Sequence, residues 1–392
     1  MASRDINRQP DQPQPGVGTT PIAPPLGRVD QRDNAFYRRK HGLAPNVPLP
    51  SAGPGEPNDP LQRVFFGETR RANCMNEAFA AVVDGPVRPA AHSFRSPEAA
   101  ARHIREMARY LGAEMVGIAE LEDGFIYEYS GHENGAAAAQ AGEPITLGHR
   151  YAVVMAFAMD YRLIAASPSF IDAAEVGRGY LKGGFTATTL AAYIRELGYP
   201  ARAHTVRNEQ VLQVPLAVKA GLGELGRHGF LITARYGPRV RLATVTTDLP
   251  LAPDQPADIG VVPFCRVCLK CAHSCPSRSI PAGDQVWVRG VNKWQINGDT
   301  CLAFWKAAPE RWPNCNVCIK VCPWNKPDTW WHGLAAAATR RLPWLARPLV
   351  WLDDLLFGRN PRPRVRFLEY DNRRPAPWTD QAEGSRKPSA DA

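Results

Sequence analysis

Nowhere do roughly eighteen apolar residues run together, so no segment has the length to cross a hydrocarbon core as a helix. The chain begins without an apolar stretch and cleavage site, and Arg38-Arg39 leads into Lys40-His41-Gly42 and a proline-rich stretch rather than into the apolar core of an export signal. These absences lead to the expectation of a cytoplasmic protein, where thiols stay reduced. No block of five or more Lys and Arg occurs either, so the formal charge of +9 is spread along the chain. That spread argues against nucleic acid and suits an acidic electron donor at least as well. Cysteine is almost missing outside one segment. Cys74 stands alone, and the natural reading of it is a small buried apolar residue.

The other eight cysteines lie between positions 265 and 322. Cys265, Cys268, Cys271 and Cys275, with Pro276 after them, make the C-x2-C-x2-C-x3-C-P run of two-cluster ferredoxins. Cys301, Cys315, Cys318 and Cys322, with Pro323 next in the chain, form the second set. In such runs three thiolates close on one cluster while the cysteine before proline turns to the other. One 4Fe-4S cluster is therefore assigned to Cys265, Cys268, Cys271 and Cys322, and its partner to Cys301, Cys315, Cys318 and Cys275. A disulfide framework fits a short secreted chain, not one of 392 residues. Zinc wants separated cysteine pairs rather than three thiols spaced two apart. The pattern implies one-electron transfer, in a chain long enough for a further domain.

Residues 1–60, dense in Pro, Gly, Gln, Asp and Arg and without periodicity, read as a disordered or wrapping tail. Residues 61–250 alternate helical and strand signals irregularly, which predicts an α+β fold rather than a doubly wound sheet. Residues 251–327 hold the cysteines, and 328–392 form a Trp- and Arg-rich C-terminal segment with a helix around Trp351–Gly358 expected to pack back on the body. Within the α+β part, Ser96-Pro97-Glu98 starts a helix that Gly112 ends. Met115–Ala119 and Ala152–Phe157 read as buried strands, and Thr186–Leu197 as an amphipathic helix closed by Gly198. Phe230–Thr233 and Val240–Val245 read as a hairpin turning at Tyr236-Gly237-Pro238.

Gly221-Leu222-Gly223-Glu224-Leu225-Gly226 matches the G-x-G-x-x-G fingerprint of dinucleotide sites, but Leu216–Ala220 before it looks helical where a strand is required. These glycines are expected instead to let the backbone approach something large and flat.

Further blocks occur in fixed order: Met159-Asp160-Tyr161, Ala166-Ser167-Pro168-Ser169, Gly179-Tyr180, Tyr193 to Tyr199, Ala220 to Arg227, Tyr236 to Arg241, Thr247 to Leu251, and Phe264-Cys265. Over residues 150 to 325 these blocks resemble the reductive dehalogenases, corrinoid and iron-sulfur enzymes that remove halogens from organic molecules, here in a soluble form without a twin-arginine signal. The resemblance implies an oxidoreductase with a nitroreductase-like α+β core holding base-off cobalamin and substrate, beside a ferredoxin-like dicluster domain and a wrapping C-terminal segment. It implies an organohalide substrate, aromatic in first expectation. It also implies an external donor, a ferredoxin or flavodoxin-type reductase, since no flavin reductase is fused. The D-x-H-x-x-G cobalt-ligand signature is absent, in keeping with an open lower cobalt face.

Residue by residue, the resemblance puts the catalytic tyrosine at Tyr180, the pocket arginine at Arg241 and a second pocket residue at Asn208, with Gly221, Gly223 and Gly226 beside the cofactor. Family members often carry Gly-Asn where this chain has Arg207-Asn208 in a longer loop. Reductive cleavage of a carbon-halogen bond needs two electrons and one proton, and an unaided phenol is a weak acid at neutral pH. A fixed cation beside it favours the phenolate, which is the role the arginine takes. Two other readings stay open. An epoxyqueuosine-reductase-like enzyme acting on transfer RNA would typically show Gly-Leu-Gly-Trp-Ile-Gly-Lys where this chain has Gly-Leu-Gly-Glu-Leu-Gly-Arg, and a non-catalytic iron-sulfur electron carrier would hold the cofactors without releasing halide.

Overall fold

The computed structural model describes residues 14–17, 20–22, 26–38, 41–43, 60, 64, 78–132, 140–307, 314–327 and 330–374. Cys74 and much of the proline-rich tail lie outside them. Two N-terminal strands, β1 (Gln14–Val17) and β2 (Thr20–Ile22), pair with each other. The first long helix, α1 (Pro97–Tyr110), starts where Ser96 Oγ accepts from the Ala99 N–H at 3.3 Å, and Gly112 comes after it at φ 112°. The helix signal at Ser96-Pro97 thus acts as expected.

The body is built on β3 (Met115–Glu120), β4 (Tyr151–Ala158), β5 (Ala201–His204) and β8 (Val240–Thr247), an antiparallel sheet in the order β3-β4-β8-β5. Because side chains alternate along a strand, an unbroken apolar run such as β4 must be covered on both faces. It is. Val153, Met155 and Phe157 face one core with α1 and the long helix α3 (Phe170–Glu196), while Ala152, Val154 and Ala156 face a second core with Leu216 and Ala217 of α4 (Gln213–Lys219). The result is a helix–sheet–helix sandwich of the expected α+β class.

The short helix α2 (Tyr161–Ala165) precedes α3, which runs 27 residues and so begins well before the helix predicted from Thr186. Ser169 caps it with a capping box, accepting from the Asp172 N–H while Asp172 accepts from the Ser169 N–H at 2.6 Å. The glycines in its first half mark close contacts rather than breaks: a Cβ on Gly183 would sit 3.2 Å from the Ala243 Cβ of β8.

The predicted hairpin is corrected in the same region. Residues of β7 (Leu231–Ile232) pair with β6 (Glu224–Leu225), whereas β8 pairs with β4 and β5 in the main sheet. The turn itself exists, closed by Thr233 and Gly237. Both segments satisfy the apolar pattern of a strand, but that pattern carries no information on which neighbour supplies the hydrogen bonds.

Beyond residue 250 come α5 (Val261–Cys268), α6 (Lys270–Ser274), the hairpin β9 (Val286–Val288) and β10 (Val291–Lys293), α7 (Gly298–Ala307) and α8 (Val317–Lys320). N-terminal β2 adds to β10, which ties the tail to this part of the molecule. Two further helices, α9 (Trp330–Arg341) and α10 (Ala346–Phe357), complete the helical content of the C-terminal segment. The second packs on α5, and Lys270 at the start of α6 donates to its Asp353 Oδ2, so the segment around Trp351 returns to the body as expected.

Candidate active site

Tyr180 stands on α3 and Arg241 on β8, two elements pressed together without a side chain between them. A Cβ on Gly179 would lie 2.9 Å from the Arg241 Cγ, so glycine is what admits the arginine stem at that turn. The guanidinium carbon of Arg241 then sits 5.2 Å from the centre of the Tyr180 ring, a cation–π distance. Tyr180 packs on a buried cluster of Met159, Ile164, Val176 and Ile319, against which Phe230 and Cys318 also pack. Arg241 is 9 % exposed, which rules out a surface ion-pair role.

A chain of hydrogen bonds leads from this pair to the cysteine loop. Arg241 Nη2 donates to Asn316 Oδ1 at 3.2 Å, and Asn316 Nδ2 donates to Asp172 Oδ2 at 2.8 Å. Ser167 Oγ donates to the same carboxylate at 3.1 Å and accepts from the Asn316 N–H at 2.9 Å, while Lys320 Nζ donates to the Ser167 carbonyl. Burial pushes the Asp172 carboxyl up to about 6, against the pull of its donors Asn316 and Ser167 and of the Lys320 charge. Arg241 Nε is buried without a hydrogen-bond partner among the described residues.

Asn208 is 5 % exposed in the loop after β5, its N–H on the Thr205 carbonyl at 2.9 Å, next to Arg207 at φ 64°. That loop and Tyr180 share a neighbour in Tyr37, whose hydroxyl meets His132 Nδ1 at 2.8 Å. Burial drives the Tyr37 phenol far up, Glu209 adds to the effect, Arg207 opposes it, and Tyr180 lies within its electrostatic reach. Tyr180 and Arg241 are therefore in direct contact, with Asn208 on a separate loop.

Cys265, Cys268, Cys271 and Cys322 line a single void together with Arg227, His228, Phe264 and Trp324. Burial pushes the first three thiols up to about 12 and Cys322 well above its usual range. In the other group burial pushes Cys318 and Cys301 up; Cys318 also feels Cys315, Cys271 of the first group, Cys301 and Cys275, and Cys301 feels Cys275. All eight cysteines are free, which excludes the disulfide framework. Burial outweighs the nearby Arg227 and Lys270 charges and leaves these thiols poor anions, whereas iron bound among them would take them as thiolates. The donor set thus fits two iron-sulfur clusters.

The glycine loop meets the chain itself. A Cβ on Gly223 would run into the Ile232 carbonyl, one on Gly226 would come 2.6 Å from Ile232 Cδ1, and one on Gly221, at φ 73°, would come 2.5 Å from the Gln255 carbonyl oxygen. Its polar residues reach the cysteine domain. Glu224 Oε2 accepts from the Ile259 and Val261 N–H groups at the start of α5, and Arg227 donates to the carbonyls of Cys265, Pro281 and Gly283. The loop is a joint between core and cysteine domain, and packing within the chain accounts for its small residues.

Sequence reasoning missed Asp172, Asn316, Lys320 and Gly179 as parts of the site. Asn316 and Lys320 stand in the sequence only as fillers between cysteines, and Asp172 lies just past the Ala166–Ser169 block, unmarked by any motif.

Residues 264–326 match the model of a 4Fe-4S dicluster domain. The tetrachloroethene reductive dehalogenase of Desulfitobacterium hafniense is 35% identical over 292 residues, 63% of this chain and 52% of that protein. Among solved structures, the catabolic reductive dehalogenase NpRdhA in complex with 3-bromo-4-hydroxybenzoic acid superposes at a TM-score of 0.72 and 27% identity, over 91% of this chain and 50% of that one. A structure described as suggesting a mechanism for B12-dependent dehalogenation gives 0.73 and 28%, with 91% of this chain and 50% of that one covered. An epoxyqueuosine reductase of Vibrio cholerae is 32% identical over 135 residues, 34% of this chain and 36% of that protein. The chain thus spans about half the length of the dehalogenases it matches. Over that shared span the chain is similar in sequence and in fold to the reductive dehalogenases.

Proposed function

We propose that the protein is a cobalamin-dependent reductive dehalogenase, converting R–X, two electrons and a proton into R–H and a halide ion. The observation that carries this reading is the Arg241 guanidinium over the Tyr180 ring at 5.2 Å, against the apolar cluster that Cys318 also packs on. In this reading a proton donor, a fixed cation and a cluster ligand share that cluster.

Cobalamin, when bound base-off, would supply the reduced nucleophilic metal centre that the carbon-halogen bond requires, and the missing D-x-H-x-x-G signature is in keeping with that form. The chain's own part is positional and electrostatic. The Tyr180 hydroxyl gives its proton to the carbon that loses halogen, and the Arg241 charge stabilises the phenolate left behind. The unpartnered Nε–H of Arg241 is a buried donor left over for a ligand oxygen or halogen. Asn208 orients the substrate from its loop, and the glycine loop of Gly221, Gly223 and Gly226 holds core and cysteine domain together around the cofactors. Phe230 and Met159 make the wall beside Tyr180 apolar, which favours exclusion of water.

Two 4Fe-4S clusters, on Cys265, Cys268, Cys271 and Cys322 and on Cys301, Cys315, Cys318 and Cys275, feed electrons singly from an external ferredoxin or flavodoxin-type donor in the cytoplasm. An aromatic organohalide is favoured as substrate, supported by the brominated hydroxybenzoic acid named with the NpRdhA structure. The test is anaerobic purification with cobalamin and iron-sulfur reconstitution, then halide release from a panel of chloro- and bromoarenes and haloalkenes with an artificial low-potential reductant. Turnover of an epoxyqueuosine-bearing RNA stem loop with no halide release from any member would overturn the reading in favour of the RNA-modifying alternative. Loaded cofactors with turnover of neither substrate class would make the protein a non-catalytic carrier.

A further inference from the structure

On the wall of the void between Cys265, Cys268, Cys271 and Cys322, two N–H groups have no acceptor among the described residues. His228 is 2 % exposed, and its Nδ1 accepts from the Phe230 N–H at 3.2 Å. A ring nitrogen that accepts carries no proton, so the neutral imidazole has its hydrogen on Nε2. That Nε2 is buried with no partner. Trp324 Nε1 is buried without a partner as well, and both residues line the void. Buried donors are nearly always paired. Two orphans on one wall therefore mark the position of an acceptor that none of the described residues supplies, and the sulfides of a cluster and the thiolates ligating it are acceptors of that kind.

Charges of both signs reach both cysteine groups. Arg227 lies against the first, with Nε on the Cys265 carbonyl at 3.0 Å and its guanidinium 4.3 Å from the Trp294 ring centre, while Glu224 and Asp353 reach Cys265 and Cys268. In the second, Cys315 has both Asp172 and Lys320 within electrostatic reach. Adding an electron to a cluster makes its sulfurs more negative, so N–H donors and a nearby cation stabilise the reduced state more than the oxidised one and raise the potential.

We propose that His228 Nε2–H, assisted by Trp324 Nε1–H, donates a hydrogen bond to sulfur of the cluster held by Cys265, Cys268, Cys271 and Cys322, and raises the reduction potential of this cluster. The inference rests on the reading that these four thiolates hold a cluster. It assigns His228 a positioning role toward the electron path, setting the potential of this cluster and leaving that of the cluster on Cys275, Cys301, Cys315 and Cys318 untouched.

Redox titration of the anaerobic holoprotein, monitored by electron paramagnetic resonance, tests it. The signal of this cluster is assigned as the one altered in Cys268→Ser. In His228→Phe its midpoint should move negative by on the order of tenfold in the reduction equilibrium, ~59 mV for a one-electron couple, with the other midpoint unchanged. His228→Gln, which keeps an N–H at similar reach, should recover most of the shift. In the unmodified protein labelled with nitrogen-15 histidine, the reduced cluster should show a nitrogen-15 coupling that His228→Gln abolishes, a readout that stands even if the phenylalanine variant does not fold. Full iron with no such coupling, or with both midpoints unmoved in His228→Phe, overturns this inference alone. Failure of iron to assemble at these cysteines overturns the cluster reading and this inference with it.

Discussion

Arg241 Nη2 donates to the side-chain oxygen of Asn316 at 3.2 Å, which joins the residue over the Tyr180 ring to the residue between Cys315 and Cys318. Asn316 is the hinge of that link, because its amide nitrogen is spent on the buried Asp172. Asn316→Leu would leave a buried carboxylate short of a donor and a guanidinium short of an acceptor. A loss of about 2–3 kcal/mol in anaerobic denaturant unfolding is expected, and kcat should fall more than KM rises. Wild-type stability in this variant would show that the network is not a structural tie.

Tyr180→Phe should retain iron and cobalamin yet release halide at least about a hundredfold more slowly, the usual weight of a positioned general acid. Arg241→Lys should also be slow, since an ammonium cannot both reach Asn316 and lie flat over the phenol ring. Halide release is the measurement for both. An active phenylalanine variant with both cofactors loaded would move the proton source elsewhere.

Cys301→Ala removes one ligand of the proposed second cluster and leaves the first intact. Iron should fall from about eight per chain toward about four, with loss of a single signal in paramagnetic resonance of the reduced protein. Loss of both signals together would mean that the cysteines are grouped differently.

His204, far from the cysteines, sets an acid limit. Its Nδ1 accepts from the Gln210 N–H at 3.1 Å and its Nε2 meets Thr246 Oγ1 at 2.9 Å, an arrangement only the neutral ring can make. Burial, then the charges of Arg202 and His149, hold its pKa well below the usual value. The unfolded chain takes up a proton below about pH 6.5 and the folded one does not, so stability is complete above that pH and lost as pH falls through it. The slope should be up to about 1.4 kcal/mol per pH unit for this one group. His204→Gln should flatten the limb between about pH 6.5 and 5 in denaturant titrations; an unchanged slope would assign the acid limit to other groups.

What could be read from the sequence was what short-range chemistry encodes. Cysteine spacing gave the grouping of thiols because three ligands of each set lie within a few residues, and Ser96-Pro97 gave a helix start because a cap acts over one turn. The first half of α3 was lost because Gly177, Gly179, Gly183 and Gly184 read as breakers, while Gly179 and Gly183 in fact admit Arg241 and Ala243. The strand partner of Val240–Thr247 was lost because apolar alternation does not name its neighbour. Asn316 was invisible for a related reason: Asp172 and Ser167 are more than a hundred positions away.

One helix, α3, carries both Asp172, which grips the cysteine loop, and Tyr180, which lies under Arg241. These two residues are about 12 Å apart along its axis, and each residue advances the helix by about 100°. The proton donor and the contact to the cysteine loop are therefore locked in rotational phase. One residue inserted between them would leave every cysteine in place and yet swing the phenol by about a quarter turn, away from the guanidinium and into the sheet or out of it.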